Sequence, residues 1–558
     1  MICTSPVPAS GSAQTRCKPS RWPGGFFACA AQETAWPGGF SVAEVPSTSC
    51  DVVVVGGGIN GCGIARDLAG RGLKVCLCEQ HDLAAHTSSA STKLIHGGLR
   101  YLEFYEFSLV RKALQERERL LASAPHIMWP LRFVMPHVPA LRPLWMVRTG
   151  LWLYDHLAPR RLLPASEVVD LTRHTAGRAL QDRYRKGFVY SDGWVDDARL
   201  VVLNALDATE RGASILTRTR VDRVTRAAGG WTLQVRSSTG QGQTVRARAL
   251  VNAAGPWAES FLREELGMAG TRKLRLVKGS HIVVPRMFAH DHAYILQNQD
   301  RRIVFALPYG SRFTLIGTTD VPYDGEPGRP GIDPQEIDYL CTSVNHYFRS
   351  QVCAADVVWS YSGVRPLLDD ASDDPSAVTR DYRIELDAAA PAPLLTVWGG
   401  KITTYRKLAE EAADLLGPLL GNKSGAWTAH ACLPGGDLSS VLGAAKPAAS
   451  DFESFVGTMQ RRYGWMQAST VHRLARTYGA RMTAWLGEAS GAAALGGEVV
   501  PGVHAAELDY AARVEWARTG DDFLWRRTKL GLELDPTQCR AIDGWFEERR
   551  NIELAAAA

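Results

Sequence analysis

Apolar positions along this chain come in two rhythms, short unbroken runs and runs spaced by three or four. From Asp51 to Val55 four valines follow one acidic residue, the pattern of a strand buried on both faces. Glycines follow at once in Gly56-Gly57-Gly58-Ile59-Asn60-Gly61, and between Cys62 and Arg71 Ile64, Leu68 and small alanines recur at helical spacing. A second apolar run, Leu73 to Cys78, ends at Glu79. Together these predict a βαβ unit at the start of a nucleotide-binding domain.

Farther along, Leu109 to Ala122 reads as a charged helix, and residues 125–165 are rich in Pro, Trp, Arg and Leu. Ala249 to Gly255 reads as a buried strand ending in a glycine turn, and strands dominate from Leu274 to Thr319. Pro393 to Gly400 is again strand and glycine pair, and Lys401 to Leu416 is helical. The expected organisation is a discontinuous nucleotide-binding domain (50–110, 190–270 and 355–420) and a substrate-binding domain (111–190 and 271–354). A linker (421–450) and a helical C-terminal domain (451–558) follow, and residues 1–49 are expected to be a disordered extension.

Composition narrows the class. The chain has 558 residues, 46% hydrophobic and 22% charged, which excludes a disordered or fibrous protein. Its net charge of +5, from 63 basic and 58 acidic residues, is too weak to argue for nucleic acid. The 11 cysteines include no CxxC pair, so the common zinc and thioredoxin spacings are absent and a reducing compartment is expected. No apolar run is long enough for a membrane span. The first fifty residues hold Arg16, Lys18 and Arg21 before any acid, so a transit peptide is an alternative to an extension or an upstream start read through.

The glycine turn carries the first chemistry. Gly56 makes the tight turn, Gly58 lets a pyrophosphate approach the backbone, and Gly61 lets the helix pack close to the sheet. The helix N-terminus favours phosphate charge, and Glu79 can accept from both ribose hydroxyls. The turn alone does not separate NAD from FAD. In flavoproteins with two dinucleotide-binding domains a similar strand passes near the flavin nucleotide and a similar helix start points at the flavin ring. The later strand ending at Ala254-Gly255 and the helix opened by Gly399-Gly400 thus resemble an FAD site.

Several segments carry a specific likeness: Gly56 to Ala65, Ser88 to Leu102 with His96-Gly-Gly-Leu-Arg-Tyr101, Asp192 to Arg199, Ser362 to Pro366, Gly399 to Arg406, and Trp516 to Leu532 with Arg526 to Gly531. They resemble the FAD-dependent glycerol-3-phosphate dehydrogenases over roughly residues 48–550, including the C-terminal part. No calcium loop of the D-x-D-x-D-G type is present, so the likeness is to the bacterial respiratory form. It implies an α/β fold: a Rossmann-like FAD domain of the D-amino-acid-oxidase/glutathione-reductase type, an antiparallel β-sheet substrate domain and an all-α C-terminal domain.

The same resemblance implies a reaction. sn-Glycerol 3-phosphate loses a hydride from C2 to FAD, and the electrons pass to a membrane quinone. It assigns Gly56, Gly58, Gly61, Glu79, Ser91, Thr92, Lys93, Leu94, Ala254, Gly255, Gly400, Ile402 and Thr403 to the cofactor. Arg100, Tyr101, Arg365, Arg380 and Lys401 fall to the substrate, because a phosphate dianion demands cations and arginine forks match its oxygens. A base must take the hydroxyl proton; His96 is favoured because histidine titrates near neutrality, with Lys401 and His281 as rivals. Leu141 to Tyr154 followed by Arg160-Arg161 reads as a lipid-surface segment or a buried helix. The expected location is the cytoplasm, peripherally attached to the inner membrane, and a homodimer stays open. Other readings are an oxidase that uses oxygen, a flavin-binding protein without turnover, and an amine or amino-acid oxidase.

Overall fold

The computed structural model describes residues 49–268, 272–300, 302–368, 381–388, 392–443 and 451–557. The expected N-terminal extension and Arg380 lie outside them. The valine run forms β1 (Ser49–Val55), the glycine turn opens α1 (Ile59–Gly70), and β2 (Val75–Cys78) pairs with β1 in parallel, Val52 opposite Val75. On the other side of β1 lies the Gly242–Asn252 strand, also parallel, and beyond it Leu394–Trp398. Buried parallel strands need apolar side chains on both faces, which explains the unbroken runs. Helices α1, Asp197–Glu210 and Tyr405–Leu419 cover one face through Ile64, Leu68, Leu203, Ala205, Leu408 and Ala412.

A second sheet stands beside the first. Its core runs through Leu274–Pro285, Phe313–Gly317, Ile303–Tyr309, Ala293–Gln297, Met128–Pro136 and Lys186–Val195. Nearly every pairing is antiparallel; Ala293–Gln297 against Met128–Pro136 is parallel. Two segments expected in the nucleotide-binding domain join this sheet instead. Trp359–Leu368 pairs along the whole of Leu274–Pro285, and Leu94–Ile95 pairs with Lys186–Val195. Sheet membership depends on distant partners, which local apolar patterning does not record. Arg365 and the His96 turn are thereby carried on one sheet.

The C-terminal part is helical, with a short hairpin at Glu498–Val500 and Val503–His504, and packs around Phe455, Met459, Leu474 and Tyr478. It is tied to the rest by buried ion pairs. Arg199 makes a fork to Glu515 at 2.5 and 2.9 Å, and Arg527 makes one to Asp82 at 2.8 and 2.9 Å. The described part of the expected linker is also fastened. Trp427 donates to the Asp67 carbonyl oxygen at 3.1 Å, and its ring lies under the Arg66 and Arg211 guanidinium groups.

His126 sits at this junction, fully buried beside Gly435 and Gly479, with no hydrogen-bond partner for either ring nitrogen among the described residues. Burial, then Arg199 and Arg476, pull its pKa down to about 3. In the unfolded chain a histidine titrates near ~6.5. Below that pH the unfolded state therefore binds a proton that the folded state refuses, and stability falls as pH drops from 6.5 toward 3. Replacing His126 with Gln is expected to flatten the slope of Tm against pH between pH 6.5 and 4. An unchanged slope would remove His126 from the acid response.

Candidate functional site

The site begins at the carboxyl ends of the parallel strands. Gly56 has φ +112°, and a Cβ there would stand 2.5 Å from the Ala253 carbonyl oxygen. A Cβ at Gly61 would overlap the Gly56 carbonyl oxygen. Side chains at either position would push the turn off the sheet. Glu79, at the end of β2, is buried; its Oε2 accepts from Gly57 N–H at 2.6 Å and its Oε1 from His81 N–H at 2.7 Å. Burial raises its pKa, opposed by these two bonds. Each carboxylate oxygen keeps lone pairs for ribose hydroxyls.

A cleft of about 320 Å³ runs from here, lined by Gly56 to Asn60, Glu79, Thr87, Ser88, Ala254, Gly255 and Gly400. The residues fit FAD: glycines that a Cβ would jam, a helix start lining the cleft, and an acidic strand end. Replacing Glu79 with Gln places an amide donor against a backbone donor. That is expected to weaken FAD binding about tenfold, at ~1–2 kcal/mol, read as flavin lost on dialysis. Full occupancy after dialysis would refute the ribose role.

Not every expected cofactor residue reaches this cleft with its side chain. Lys93 is buried, and its ammonium is held by Asp197 at 2.9 and 3.0 Å and by the Ser89 carbonyl oxygen at 3.1 Å. Ser91 donates to the same carboxylate at 2.7 Å, and Thr92 bonds His281 at 2.9 Å. The Lys93 charge is thus spent inside the protein rather than offered to a phosphate. Ser88, which opens the Ser88-to-Leu102 motif, accepts from Ile59 N–H at 3.0 Å. Asn60 donates to the Gly399 carbonyl oxygen at 3.1 Å and joins the two glycine turns. Thr403 accepts from His96 N–H at 3.2 Å, and Ile402 opens the same turn.

A smaller cavity of about 110 Å³ opens beyond. It is lined by Leu94, His96, Arg100, Tyr101, Asp192, Thr318, Asp320 and Arg365, with apolar walls from Phe133, Ile295 and Phe305. Arg365 lines this cavity and its neighbour Pro366 lines the cleft, so the two spaces share a wall. Arg365 is paired with Asp320 and donates to Thr318 Oγ1 at 3.0 Å. The Lys401 ammonium lies 3.9 Å from the centre of the Tyr101 ring.

The His96 turn is built to hold its shape. Gly98 has φ +76°, and a Cβ there would strike the Tyr101 ring. Gly97 N–H donates to Tyr154 OH at 2.8 Å, which donates to Asp192 at 2.8 Å, and Arg117 closes on the same carboxylate at 2.6 Å. Asp192, Asp197, Asp320 and Thr318 were missed beforehand; the first two lie inside the Asp192-to-Arg199 motif, which was their available signal. His281, a rival base, lies outside the cavity wall. It stacks on Tyr361 at 4.7 Å, and burial, Arg365 and Lys93 hold its pKa well below the usual value, so it stays neutral.

Fold and site together define a flavin-dependent oxidoreductase with one nucleotide-binding sheet and one substrate sheet. Residues 51–406 match the family model described as FAD dependent oxidoreductase, and residues 426–543 match the C-terminal domain of alpha-glycerophosphate oxidase. The chain is 55% identical to a glycerol-3-phosphate dehydrogenase of Pseudomonas aeruginosa, over 88% of this chain and 93% of the relative. It is 50% identical to a D-erythritol 1-phosphate dehydrogenase of Brucella abortus, over 91% and 99%. The solved glycerol-3-phosphate dehydrogenase of Bacillus halodurans, complexed with FAD, superposes with TM-score 0.73 at 28% identity, over 90% of both chains. The chain belongs to the FAD dependent oxidoreductase family, in the branch with this C-terminal domain that includes the glycerol-3-phosphate dehydrogenases. Its cofactor is FAD.

Proposed function

We propose that this protein oxidises sn-glycerol 3-phosphate at C2 to dihydroxyacetone phosphate, the hydride leaving for FAD and the electrons passing on to a membrane quinone. The observation that carries the reading is the small cavity that places His96, Arg100 and Arg365 together, across one wall from the nucleotide cleft. FAD, when bound, supplies the acceptor for the hydrogen and two electrons leaving C2. Arg100, Arg365 and Lys401 orient the substrate by its phosphate, Arg365 exchanging Asp320 for phosphate oxygens. His96 takes the hydroxyl proton; among the described residues it is the histidine lining the cavity.

Anaerobic titration of the yellow protein with glycerol 3-phosphate tests cofactor, substrate and reaction at once: the flavin band should bleach. A flavin bleached by D-erythritol 1-phosphate alone would overturn the substrate. Peroxide release matching turnover would move the acceptor from quinone to oxygen.

The acceptor requires contact with a membrane, and no described helix is long and apolar enough to cross one. The helix Leu144–His156 supports a peripheral attachment at the cytoplasmic face. It buries Leu151, Tyr154 and Asp155 and exposes Trp145, Met146 and Trp152. Phe104, Tyr105 and Phe107 are exposed in the neighbouring segment, and Arg111, Arg148 and Arg161 are exposed as well. Apolar rings with arginines suit an interface of anionic headgroups. Changing Trp145 and Trp152 together to Ala is expected to weaken sedimentation with anionic vesicles at least tenfold, taking ~1.5–3 kcal/mol per buried ring. Unchanged sedimentation would exclude this face.

A further inference from the structure

A third cavity, of about 330 Å³, belongs to neither the nucleotide cleft nor the catalytic cavity. Its walls come from four places: the loop around Ala85 to Ala90, the segment Pro327 to Pro330, the strand segment around Trp359 to Val364, and the turn carrying Asp521, Trp525, Arg526 and Lys529. It shares Ala85, His86 and Thr87 with the nucleotide cleft and no lining residue with the catalytic cavity.

Its charges do not cancel. Arg526 is neutralised by Asp82 at 2.7 Å, Asp521 at 2.7 Å and Asp522 at 2.6 Å. Lys529 has no carboxylate within ion-pair distance among the described residues; its ammonium donates to the Trp525 carbonyl oxygen at 2.5 Å and keeps two donors. The nearby Asp197 is occupied by Lys93. Arg329, on the rim, is exposed and has no ion pair among the described residues. Two cations that make no ion pair among the described residues therefore line one concave space. Burial, then Lys93, pull the Lys529 ammonium down to about 8, against the opposing pull of Asp197 and Asp196.

Two further features suit a ligand. Trp359 stacks on Trp525 with centroids 4.5 Å apart and planes 18° from parallel, and Tyr361 stands against it at 4.9 Å, so three aromatic rings line part of the cavity. Lys529 itself sits at φ +62°, left-handed backbone that a side chain adopts at a cost. The FAD site and the catalytic reading use none of these residues.

We infer that this cavity is a second ligand site, for a small phosphate-bearing molecule with a flat apolar body. The phosphate would be held between Lys529 and Arg329 and the body set against the cluster of Trp359, Tyr361 and Trp525 rings. Phenyl phosphate supplies both parts, and inorganic phosphate and phenol supply them singly.

Calorimetric titration of the FAD-loaded protein tests it. Phenyl phosphate should bind more tightly than inorganic phosphate or phenol. Binding should persist in R365A, which disables the catalytic cavity. K529M should weaken both phosphate probes at least about tenfold, the worth of one charged hydrogen bond. W359L should weaken phenyl phosphate and leave inorganic phosphate unchanged. If K529M does not fold, the exposed rim variant R329A decides, with the same expected loss. Binding that vanishes in R365A and survives K529M, or survives R329A undiminished, would assign the anion to the catalytic cavity and overturn the proposal. So would the absence of any binding heat.

Discussion

Replacing Arg365 with alanine is expected to lower kcat/KM for glycerol 3-phosphate by about 10²- to 10³-fold while FAD stays bound. Arg365 is the cation whose position is best defined: one arm is held by Asp320, the other donates to Thr318 at 3.0 Å, and the backbone is locked in the sheet opposite Val277. A guanidinium fork on phosphate makes two charge-assisted hydrogen bonds, each of ~1.5–3 kcal/mol. Two such bonds, less the exchange with Asp320, leave about 3–4 kcal/mol, hence the expected factor. The truncation also leaves Asp320 as an unpaired carboxylate beside an anion. Adding Asp320→Asn to Arg365→Ala is therefore expected to recover part of the loss. Arg365→Lys should recover less than a full phosphate contact, since an ammonium offers a point charge and no fork. Steady-state kinetics with flavin occupancy measured in parallel decides. An unchanged KM and kcat would remove Arg365 from the phosphate.

The second large effect concerns stability. Changing Glu515 to Ala is expected to cost about 3–5 kcal/mol, because it strands the Arg199 guanidinium in the interior. Both side chains are essentially without solvent contact, and Arg199 also lies 5.2 Å from the Tyr478 ring of the C-terminal part. The consequence is specific to this junction. Arg199 is on the helix that also carries Asp197, the partner of Lys93, so a loosened junction reaches the loop beside the FAD cleft. A large fall in Tm, with earlier proteolysis between the body and residues 451–557, is the expected result. Replacing both partners with apolar residues, Arg199→Met with Glu515→Leu, should restore much of the stability, because no charge is then left buried. A double variant as unstable as Glu515→Ala would show that packing, rather than the stranded charge, governs the junction.

How much of this was legible beforehand depends on the range of the interaction. The βαβ unit, the glycine turn and Glu79 were readable because each depends on neighbours within about thirty residues. The helix expected over Leu109 to Ala122 is observed as Phe107–Ser123 for the same reason, since its period is local. The surface segment from Leu141 admitted two readings, lipid-facing or buried. The structure exposes Trp145 and Trp152 and buries Leu151 and Tyr154, so one helix has both faces.

The amino-acid sequence by itself determined the local elements, the nucleotide-binding turn and the family to which the chain belongs. Tertiary structure alone decided what each charge does. Lys93 and Lys529 are both basic residues inside family-like motifs, yet Asp197 lies against the first and, among the described residues, no carboxylate pairs with the second. Arg365 and His96 line one cavity because Trp359–Leu368 and Leu94–Ile95 both enter the second sheet. The physical reason is that backbone periodicity is written in adjacent residues, whereas a charge takes its role from whichever partner the sheet register brings within a few ångströms.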